Sequence, residues 1–499
     1  MLFPTTIFAV FFFLVFGLHW GLAGFPRTRK TVLLFASLFF YGFWSWKFAL
    51  MLLGSALVNH AAALRMDHLA KGGGSDKARY RLLVVIVGLN IGLLGFFKYT
   101  GFLFADMLFP LLRPICLSLG PDAVAWLVQV QENVFPWLSR IVLPVGISFF
   151  TFQALSYVVD VYRRQVLPAR SWIDFANYLA FFPQLVAGPI VRAADLVPQM
   201  ESMPLRTEPI ESGRAVFLIL CGLFKKTVVA NWLATRLADP VFNWPEIYSG
   251  PDILMAVYAY AVQIYCDFSA YSDIAIGTAL LLGFRFPDNF NAPYFATTLQ
   301  DFWRRWHISL SSWLRDYLYI PLGGSRRGEG RTYANLFITF LLGGMWHGAA
   351  WTFVLWGAFH GLYLSIERRV RQWMGIPQKG ETPASWPVAM LGRIWIFHVV
   401  CFSWVLFRGG NVETVSAILQ GIGRWRSTVP AVTLWGGLSV VMVALGFATQ
   451  FFDGGHMWRL ARRLSGWPSW ALGAVAAAVL TIILALGPEG VAPFIYFQF

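Results

Sequence analysis

Apolar runs of membrane-spanning length recur along the whole chain, separated by short polar or basic segments. A helix needs about 20 apolar residues to cross the hydrocarbon core of a bilayer. We expect helices near residues 5–24, 31–46, 48–64, 82–109, 141–160, 172–190, 213–236, 252–284, 333–350, 352–368, 389–407, 431–452 and 469–487. The pattern predicts an all-α polytopic membrane protein.

The first basic loops predict how the N-terminal helices are oriented. No Lys or Arg precedes the run 5–24 and no A-x-A-like cleavage site follows it, so we expect a retained anchor rather than a signal peptide. The next two runs are flanked by Arg27, Arg29 and Lys30 on one side and by Arg65, Lys71, Lys77, Arg79 and Arg81 on the other. Because basic loops stay in the cytoplasm, these runs should form a hairpin with both loops inside.

Composition supports the membrane assignment. Hydrophobic residues make up 57% of the 499 residues and charged residues 13%, whereas a soluble domain has about 25% charged residues. The net charge of +14 comes from short basic clusters between apolar runs, so we expect no nucleic-acid partner. The four cysteines are dispersed without a CxxC pair, which indicates neither a disulfide framework nor a zinc site.

Residues 300–324, QDFWRRWHISLSSWLRDYLYIPLGG, have a different pattern. At 3.6 residues per turn, it predicts an amphipathic helix over about 302–318 that lies at or dips into the membrane surface. The apolar face would carry Phe302, Trp306, Leu310, Trp313 and Tyr317, and the polar positions would be Arg304, Arg305, Ser311, Arg315 and Asp316. His307 would lie at the border of the apolar face, in an i, i+4 row with Ser311 and Arg315.

A histidine in the apolar run LLGGMWHGAAWTFVLWGAFHG (341–361) is the main candidate for chemistry. An imidazole in hydrocarbon is costly unless it faces protein or a wet cavity, so His347 is a functional candidate. A histidine base would suit acyl transfer from a thioester to a hydroxyl. The alternative is that His347 only donates a hydrogen bond across a helix interface.

Common catalytic templates are absent from the sequence, which contains no G-x-S-x-G, G-x-x-x-x-G-K-[ST], G-x-G-x-x-G or H-E-x-x-H motif. His307, His347 and His360 could converge on a metal, but the sequence has no closely spaced ligand pair. In a continuous helix, His347 and His360 would be about 20 Å apart. We therefore expect no metal site.

The block YCDFSAYSDIAIG places two carboxylates, Asp267 and Asp273, in an apolar region. Buried acids are usually paired, so we expect a supporting polar network with Arg285 or the arginines of the amphipathic helix as partners. A direct catalytic role is the alternative. Lys225 and Lys226 follow an apolar run, and we interpret them as side chains that snorkel to the interface rather than as a clamp for donor phosphates.

Seven blocks resemble the membrane-bound O-acyltransferase (MBOAT) family, in its bacterial branch of alginate O-acetyltransferases and related D-alanyl transfer proteins. They are PVGISFFTFQALSYVVDVYR (144–163), FFPQLVAGPIVR (181–192), YCDFSAYSDIAIG (265–277), GFRFPDNFNAPY (283–294), DFWRRWHISLSSWLRDYLYIPLGGSRRG (301–328), LLGGMWHGAAWTFVLWGAFHG (341–361) and PFIYFQF (493–499).

The resemblance implies one integral-membrane domain over residues 1–499, a ring of transmembrane helices with amphipathic or re-entrant helices around a central funnel. Its parts would be a catalytic core at about 140–370, N-terminal helices at 1–110 and C-terminal helices at 388–499. The resemblance also implies that His347, in WHGA, is the catalytic residue and that His307, in WRRWHIS, is the second site residue.

The resemblance further implies an inner-membrane O-acetyltransferase that moves acetyl from cytoplasmic acetyl-CoA across the membrane to an exported exopolysaccharide, similar to alginate or cellulose. Acetyl-CoA would be a substrate, with no bound cofactor. The partners would be a periplasmic acetyltransferase or acetyl-relay protein, the export machinery and membrane lipid. Arg304, Arg305, Ser311 and Arg315 are candidates for binding the donor.

Two alternatives stay open. The first is acyl transfer from a carrier protein to a cell-envelope polymer, as in the D-alanyl branch. The second is a transporter or scaffold for a periplasmic acetyltransferase, although the chain lacks the two similar halves typical of many transporters.

Overall fold

The chain is built from helices, and the part that the structure describes contains no β-strand. The structure is a computed structural model that describes residues 3–73, 75–205, 211–376, 385–425, 434–452 and 467–486. The predicted terminal block 493–499 lies outside the described residues.

The helices follow most of the predicted apolar runs. In chain order, the α-helices are Thr6–Gly21, Pro26–Gly42, Trp46–Lys71, Asp76–Phe102, Phe109–Leu119, Pro121–Leu138, Ile147–Tyr162, Trp172–Ala180, Phe182–Leu185, Ala193–Ser202, Ser212–Phe224, Asn231–Leu233, Asp239–Asn243, Gly250–Leu281, Leu299–Arg305, Ile308–Leu314, Glu329–His347, Trp351–Trp373, Trp386–Arg408, Val412–Gly421, Gly437–Ala448 and Ser469–Leu486. Wider π-helical turns occur at Leu103–Leu108, Lys225–Ala230, Ala234–Ala238 and Arg315–Tyr319.

Five of the described helical segments are long and apolar enough to cross a membrane. They are Trp46–Lys71, Asp76–Leu119, Ser212–Asn243, Gly250–Leu281 and Trp386–Arg408. In Gly250–Leu281, 89% of the apolar window is buried inside the protein, compared with 17% in Asp76–Leu119. The first is therefore the central helix, and the second presents its side chains outward. These segments confirm the prediction of an all-α polytopic membrane protein.

The predicted hairpin of the second and third helices is also confirmed. Pro26–Gly42 starts with proline at its first position, which suits a residue without an N–H. This helix packs against Trp46–Lys71, to which residues 43–45 join it.

Basic side chains from distant segments meet at one end of the bundle, which we call the basic face. The contacts are Lys30 with Asp174 at 2.5 Å, Arg79 with the Tyr162 carbonyl at 2.8 Å, Arg192 with Asp316 at 3.1 Å, Arg163 over the Tyr317 ring and Arg368 with Glu329 at 2.8 Å. The basic loops before and after the hairpin therefore lie on one side of the protein, as predicted from their charge.

The prediction of a single membrane crossing over 172–190 is wrong. The helix Trp172–Ala180 ends where Phe181 leaves the helical conformation, with ψ of 111°, and Phe182–Leu185 forms only one further turn. Residues 174–191 are all buried. Non-helical backbone is tolerated at membrane depth when it is enclosed by protein, which is the environment of this segment.

The continuous amphipathic helix predicted over 302–318 is wrong as well, because the helix breaks at Trp306 and His307. His307 adopts the left-handed conformation, with φ of 43°. The neighbouring loop takes up the freed backbone groups: Ile308 N–H donates to the Asn289 carbonyl and Asn291 N–H to the Arg305 carbonyl, both at 2.9 Å. The predicted apolar face is confirmed for Phe302, Trp306, Leu310 and Trp313, which are buried. We call residues 299–319 the broken helix.

Candidate functional site

His347 is the last residue of its helix, not the middle of a span. The helix Glu329–His347 ends at an extended Gly348, and Trp351–Trp373 then folds back against it. His347 and His360 therefore lie on two helices, as the separate runs 333–350 and 352–368 predict, and the spacing of a continuous helix does not apply to them. Glycine makes the close packing possible: a Cβ on Gly344 would lie 2.3 Å from the Phe353 carbonyl oxygen.

Two consecutive side chains of another helix hold this helix end. Lys98 Nζ donates to the carbonyl of Trp346 and, at 3.1 Å, to that of His347, while Tyr99 Oη donates to the Met345 carbonyl at 2.6 Å. The last carbonyls of a helix lack partners within it, so these contacts satisfy groups that would otherwise be buried alone. The sequence signal for this role is a lysine within the apolar run 82–109.

Aromatic rings surround the His347 imidazole, which is 6% exposed. The ring centroids of Trp346 and Trp356 lie 5.0 Å from that of His347, and that of Phe407 lies 5.2 Å away. Such packing restricts the orientation of the imidazole, which is what a general base requires.

A cavity of about 700 Å³ reaches His347, and we call it the His347 cavity. Its lining includes Thr5, Ile7, Phe43, Trp44, Lys98, Phe149, Trp346 and His347. Phe43 lies about 20 Å from Lys30 along the helix that joins them. The His347 cavity therefore opens toward the end of the bundle opposite the basic face.

A second cavity of about 400 Å³, the arginine cavity, lies between the broken helix and the helices of the Glu329–Trp373 region. The lining includes three of the four predicted donor-binding residues, Arg304, Ser311 and Arg315, together with Arg368 and Arg371. Arg305 is not part of this lining; its Nε instead pairs with Asp301 at 2.9 Å.

Sequence reasoning missed Arg368 and Arg371. They lie three residues apart in the last turns of Trp351–Trp373, so they share one helix face. Their spacing is visible in the sequence, but only the fold brings this face opposite Arg304. Because Arg368 pairs with Glu329, the arginine cavity belongs to the basic face.

An aromatic wall lies between the arginine cavity and His347, formed by Trp303, Phe340, Trp356 and His360. Trp303 and Phe340 line the cavity, and Trp356 contacts both Trp303, at 5.6 Å between centroids, and His347. Trp303 Nε1 donates to His360 Nδ1 at 3.4 Å. Among the described residues, no group of three or more His, Cys, Asp or Glu could hold a metal ion.

His307 is fully buried at the break in the broken helix. Its Nδ1 lies 3.1 Å from Asn289 Oδ1, and its ring packs on Phe268, Phe149 and Trp346. The predicted side-chain row with Ser311 and Arg315 is wrong, since Ser311 Oγ donates to the Trp306 carbonyl at 3.2 Å. Trp346 contacts the imidazoles of both His307 and His347, so the fold brings the two predicted site histidines to one aromatic side chain.

Asp267, which is buried, and Asp273, which is partly buried, have lysine partners, not the expected arginines. Asp267 pairs with Lys226 at 2.8 Å, and Asp273 pairs with Lys225 at 2.6 Å. Arg285 pairs instead with Glu211 at 3.4 Å.

The interpretation of Lys225 and Lys226 as snorkelling side chains is consequently wrong, since both are buried. They begin a π-helical turn that directs both lysines toward the central helix. Gly222 permits the close approach, because a Cβ there would lie 2.7 Å from the Ala270 carbonyl oxygen.

The sequence matches known membrane acyltransferases over most of its length. The profile of the MBOAT, membrane-bound O-acyltransferase family, matches residues 127–407, which include both histidines. The chain is 36% identical to a probable alginate O-acetylase AlgI of Pseudomonas putida, with both chains fully covered. A probable alginate O-acetylase AlgI of Pseudomonas aeruginosa is 38% identical over 91% of this chain and 81% of its own length. A peptidoglycan O-acetyltransferase of Helicobacter pylori is 36% identical over 85% of this chain and 80% of its own length.

Proposed function

Because the chain belongs to the membrane-bound O-acyltransferase family, we propose that it is an inner-membrane O-acetyltransferase serving an exported exopolysaccharide. The donor is cytoplasmic acetyl-CoA. The acceptor is a hydroxyl on the other side of the membrane, on the polymer or on a periplasmic relay protein beside the export machinery. The names of the relatives, alginate O-acetylase and peptidoglycan O-acetyltransferase, support acetyl as the transferred group.

One observation carries this proposal: a single helix lines two cavities that open toward opposite ends of the bundle. Glu329–His347 contributes Thr339 and Phe340 to the arginine cavity, and Trp346 and His347 to the His347 cavity. Thr339 and His347 are about 12 Å apart along the helix axis. An acyl group therefore has a short distance to travel between a donor on one side and an acceptor on the other.

The arginine cavity suits the donor. Guanidinium groups bind phosphate oxygens through paired, charge-assisted hydrogen bonds, and CoA carries its phosphates at the nucleotide end. With Arg304, Arg315, Arg368 and Arg371 around these phosphates, the pantetheine arm extends past the aromatic wall toward His347. The basic face is then cytoplasmic, in agreement with the retention of positive loops.

His347 is the general base in this scheme. It takes the proton of the acceptor hydroxyl as the hydroxyl oxygen attacks the thioester carbonyl carbon. The C–S bond then breaks, and the departing CoA thiolate takes up the proton from His347. His307, which also packs on Trp346, positions the acyl donor. Asp267 and Asp273, paired with lysines, support the helices and take no part in the reaction.

Acetyl transfer by the purified protein tests the proposal. Protein in detergent is mixed with labelled acetyl-CoA and a hydroxyl acceptor, in parallel with His347→Ala and with His398→Ala, which changes an exposed histidine. Transfer that is lost only in His347→Ala supports the proposal. Transfer only from an acyl carrier protein would replace the donor with that of the D-alanyl branch. No transfer from either donor would refute an autonomous enzyme and favour a scaffold.

A further inference from the structure

The contacts of His307 determine which of its two nitrogens carries the proton. Asn289, 1% exposed, faces it across the break in the broken helix. Ser309 N–H points at the Asn289 side-chain atom Oδ1 at 3.2 Å, and a backbone N–H can only donate. The atom opposite His307 is therefore the amide oxygen, and the amide nitrogen is the one that donates to Ser272 Oγ at 3.0 Å.

The hydroxyl of Ser309 supports the same assignment. Ser309 Oγ accepts a hydrogen bond from Ile190 N–H at 3.0 Å and donates its own proton to Asn289 Oδ1 at 2.8 Å. At 3.1 Å, an unprotonated Nδ1 would set its lone pair against those of Asn289 Oδ1. A proton on Nδ1 converts this repulsion into a hydrogen bond, which leaves the lone pair of a neutral imidazole on Nε2.

Nε2 of His307, which carries that lone pair, is placed to accept a hydrogen bond from outside the described protein groups. Nε2 is buried and has no hydrogen-bond partner within the part of the chain that the structure describes. A buried acceptor without a partner is costly. The backbone of His307 is also in the left-handed conformation, which is rare for a residue with a side chain. The loop containing Asn289 and Asn291 makes hydrogen bonds to the chain on either side of the break. These bonds hold the left-handed backbone of His307 and keep its Nε2 in place.

We propose that Asn289 is a positioning residue that keeps His307 in its Nδ1–H form, so that Nε2 accepts a hydrogen bond from a reacting group. This proposal rests on the proposed acetyl transfer. A neutral His307 held in this way cannot donate from Nε2 to the acyl carbonyl oxygen. Its partner is the CoA thiol that forms when the departing thiolate takes up the proton from His347, because the acceptor hydroxyl gives its only proton to His347.

Three variants of the full-length protein test the proposal, with acetyl transfer measured between pH 6 and 8.5 at saturating and limiting acetyl-CoA. Asn289→Asp keeps an oxygen opposite Nδ1, but its negative charge favours a second proton on the imidazole. We expect at least a tenfold loss of kcat at pH 7 that recovers as the pH rises, with the KM for acetyl-CoA unchanged within twofold. Asn289→Ala should lose kcat at every pH, without recovery.

Ser272→Ala is the matched control, because it removes the hydrogen bond of the Asn289 amide nitrogen and leaves the contact of the amide oxygen with His307. We expect a loss below threefold and an unchanged pH profile. If the Asn289→Asp profile has the shape of the parent profile, or if Asn289→Ala keeps kcat within threefold, the proposal is wrong. If Asn289→Ala does not fold, the comparison of Asn289→Asp with Ser272→Ala decides. An inactive parent would instead refute the proposed function itself.

Discussion

Lys98 donates a hydrogen bond to the backbone carbonyl of His347 at 3.1 Å, across 249 positions of sequence. The same ammonium group also contacts the Trp346 carbonyl and Ser148 Oγ. An ammonium has three N–H donors, so these contacts use its full capacity. Lys98 therefore fixes the end of the helix that presents His347, and groups of the protein occupy its three N–H donors.

Replacing Lys98 with methionine tests this role. Lys98→Met retains the length of the side chain but leaves the carbonyls at the helix end without their donor, which costs about 1–3 kcal/mol. We expect a lower midpoint of thermal unfolding and at least a tenfold loss of acetyl transfer. Lys47→Met, at an exposed position of Trp46–Lys71, is the matched control and should change neither. Full activity in Lys98→Met would contradict the role.

Arg304 and Arg305 provide a matched pair for the donor site. They are adjacent in sequence, but Arg304 lines the arginine cavity whereas Arg305 pairs with Asp301. We expect Arg304→Gln to raise the KM for acetyl-CoA about tenfold, the equivalent of one charged hydrogen bond, without changing the dependence on acceptor. Arg305→Gln should leave this KM within twofold. Equal effects of the two substitutions would place the donor phosphates elsewhere.

Cysteine labelling tests the orientation of the basic face. In a cysteine-free background, an impermeant maleimide added to intact spheroplasts should modify Lys47→Cys, which lies beside the turn at 43–45. Ser75→Cys, in the basic loop after the hairpin, should react only after permeabilisation. The reverse pattern would mean that the protein is inverted and that acetyl-CoA approaches from the other cavity.

Replacing one partner of the ion pair of Lys225 and Asp273 should lower the free energy of unfolding, whereas replacing both partners should change it little. Lys225→Met leaves the Asp273 carboxylate, whose side chain is 13% exposed, without its lysine and should destabilise the protein by about 1–3 kcal/mol. The double variant Lys225→Met/Asp273→Leu should recover most of this loss in denaturant unfolding. Lys71→Met breaks the exposed pair with Asp67 and should cost less than about 1 kcal/mol. If the double variant does not recover stability, each charged group stabilises the protein through contacts other than the ion pair.

Local periodicity was sufficient to predict the features that depend on neighbouring residues. The hairpin around residues 43–45 follows from two apolar runs with basic loops on both sides. The buried face of Phe302, Trp306, Leu310 and Trp313 follows from the spacing of apolar residues. The resemblance to the family pointed to His307 and His347, and the fold brings both to Trp346.

The features that were missed depend on contacts between distant segments. The break at His307 needs the hydrogen bonds of Asn289 and Asn291, which no helical period encodes. The burial of Lys225 and Lys226 depends on a π-helical turn and on Asp273 and Asp267, which lie 48 and 41 positions further along the chain. Arg368 and Arg371 join Arg304 only because Trp351–Trp373 folds back after His347.

The aromatic wall also bears on the membrane potential. An open channel between the arginine cavity and the His347 cavity would let protons flow down the electrochemical gradient and dissipate the membrane potential. Trp303, Phe340, Trp356 and His360 pack against one another in that position, so ring side chains lie on the direct route between the two cavities. In the proposed acetyl transfer, an acyl arm that enters the aromatic wall would itself fill the gap it creates, which would limit the ion leak that accompanies each transfer.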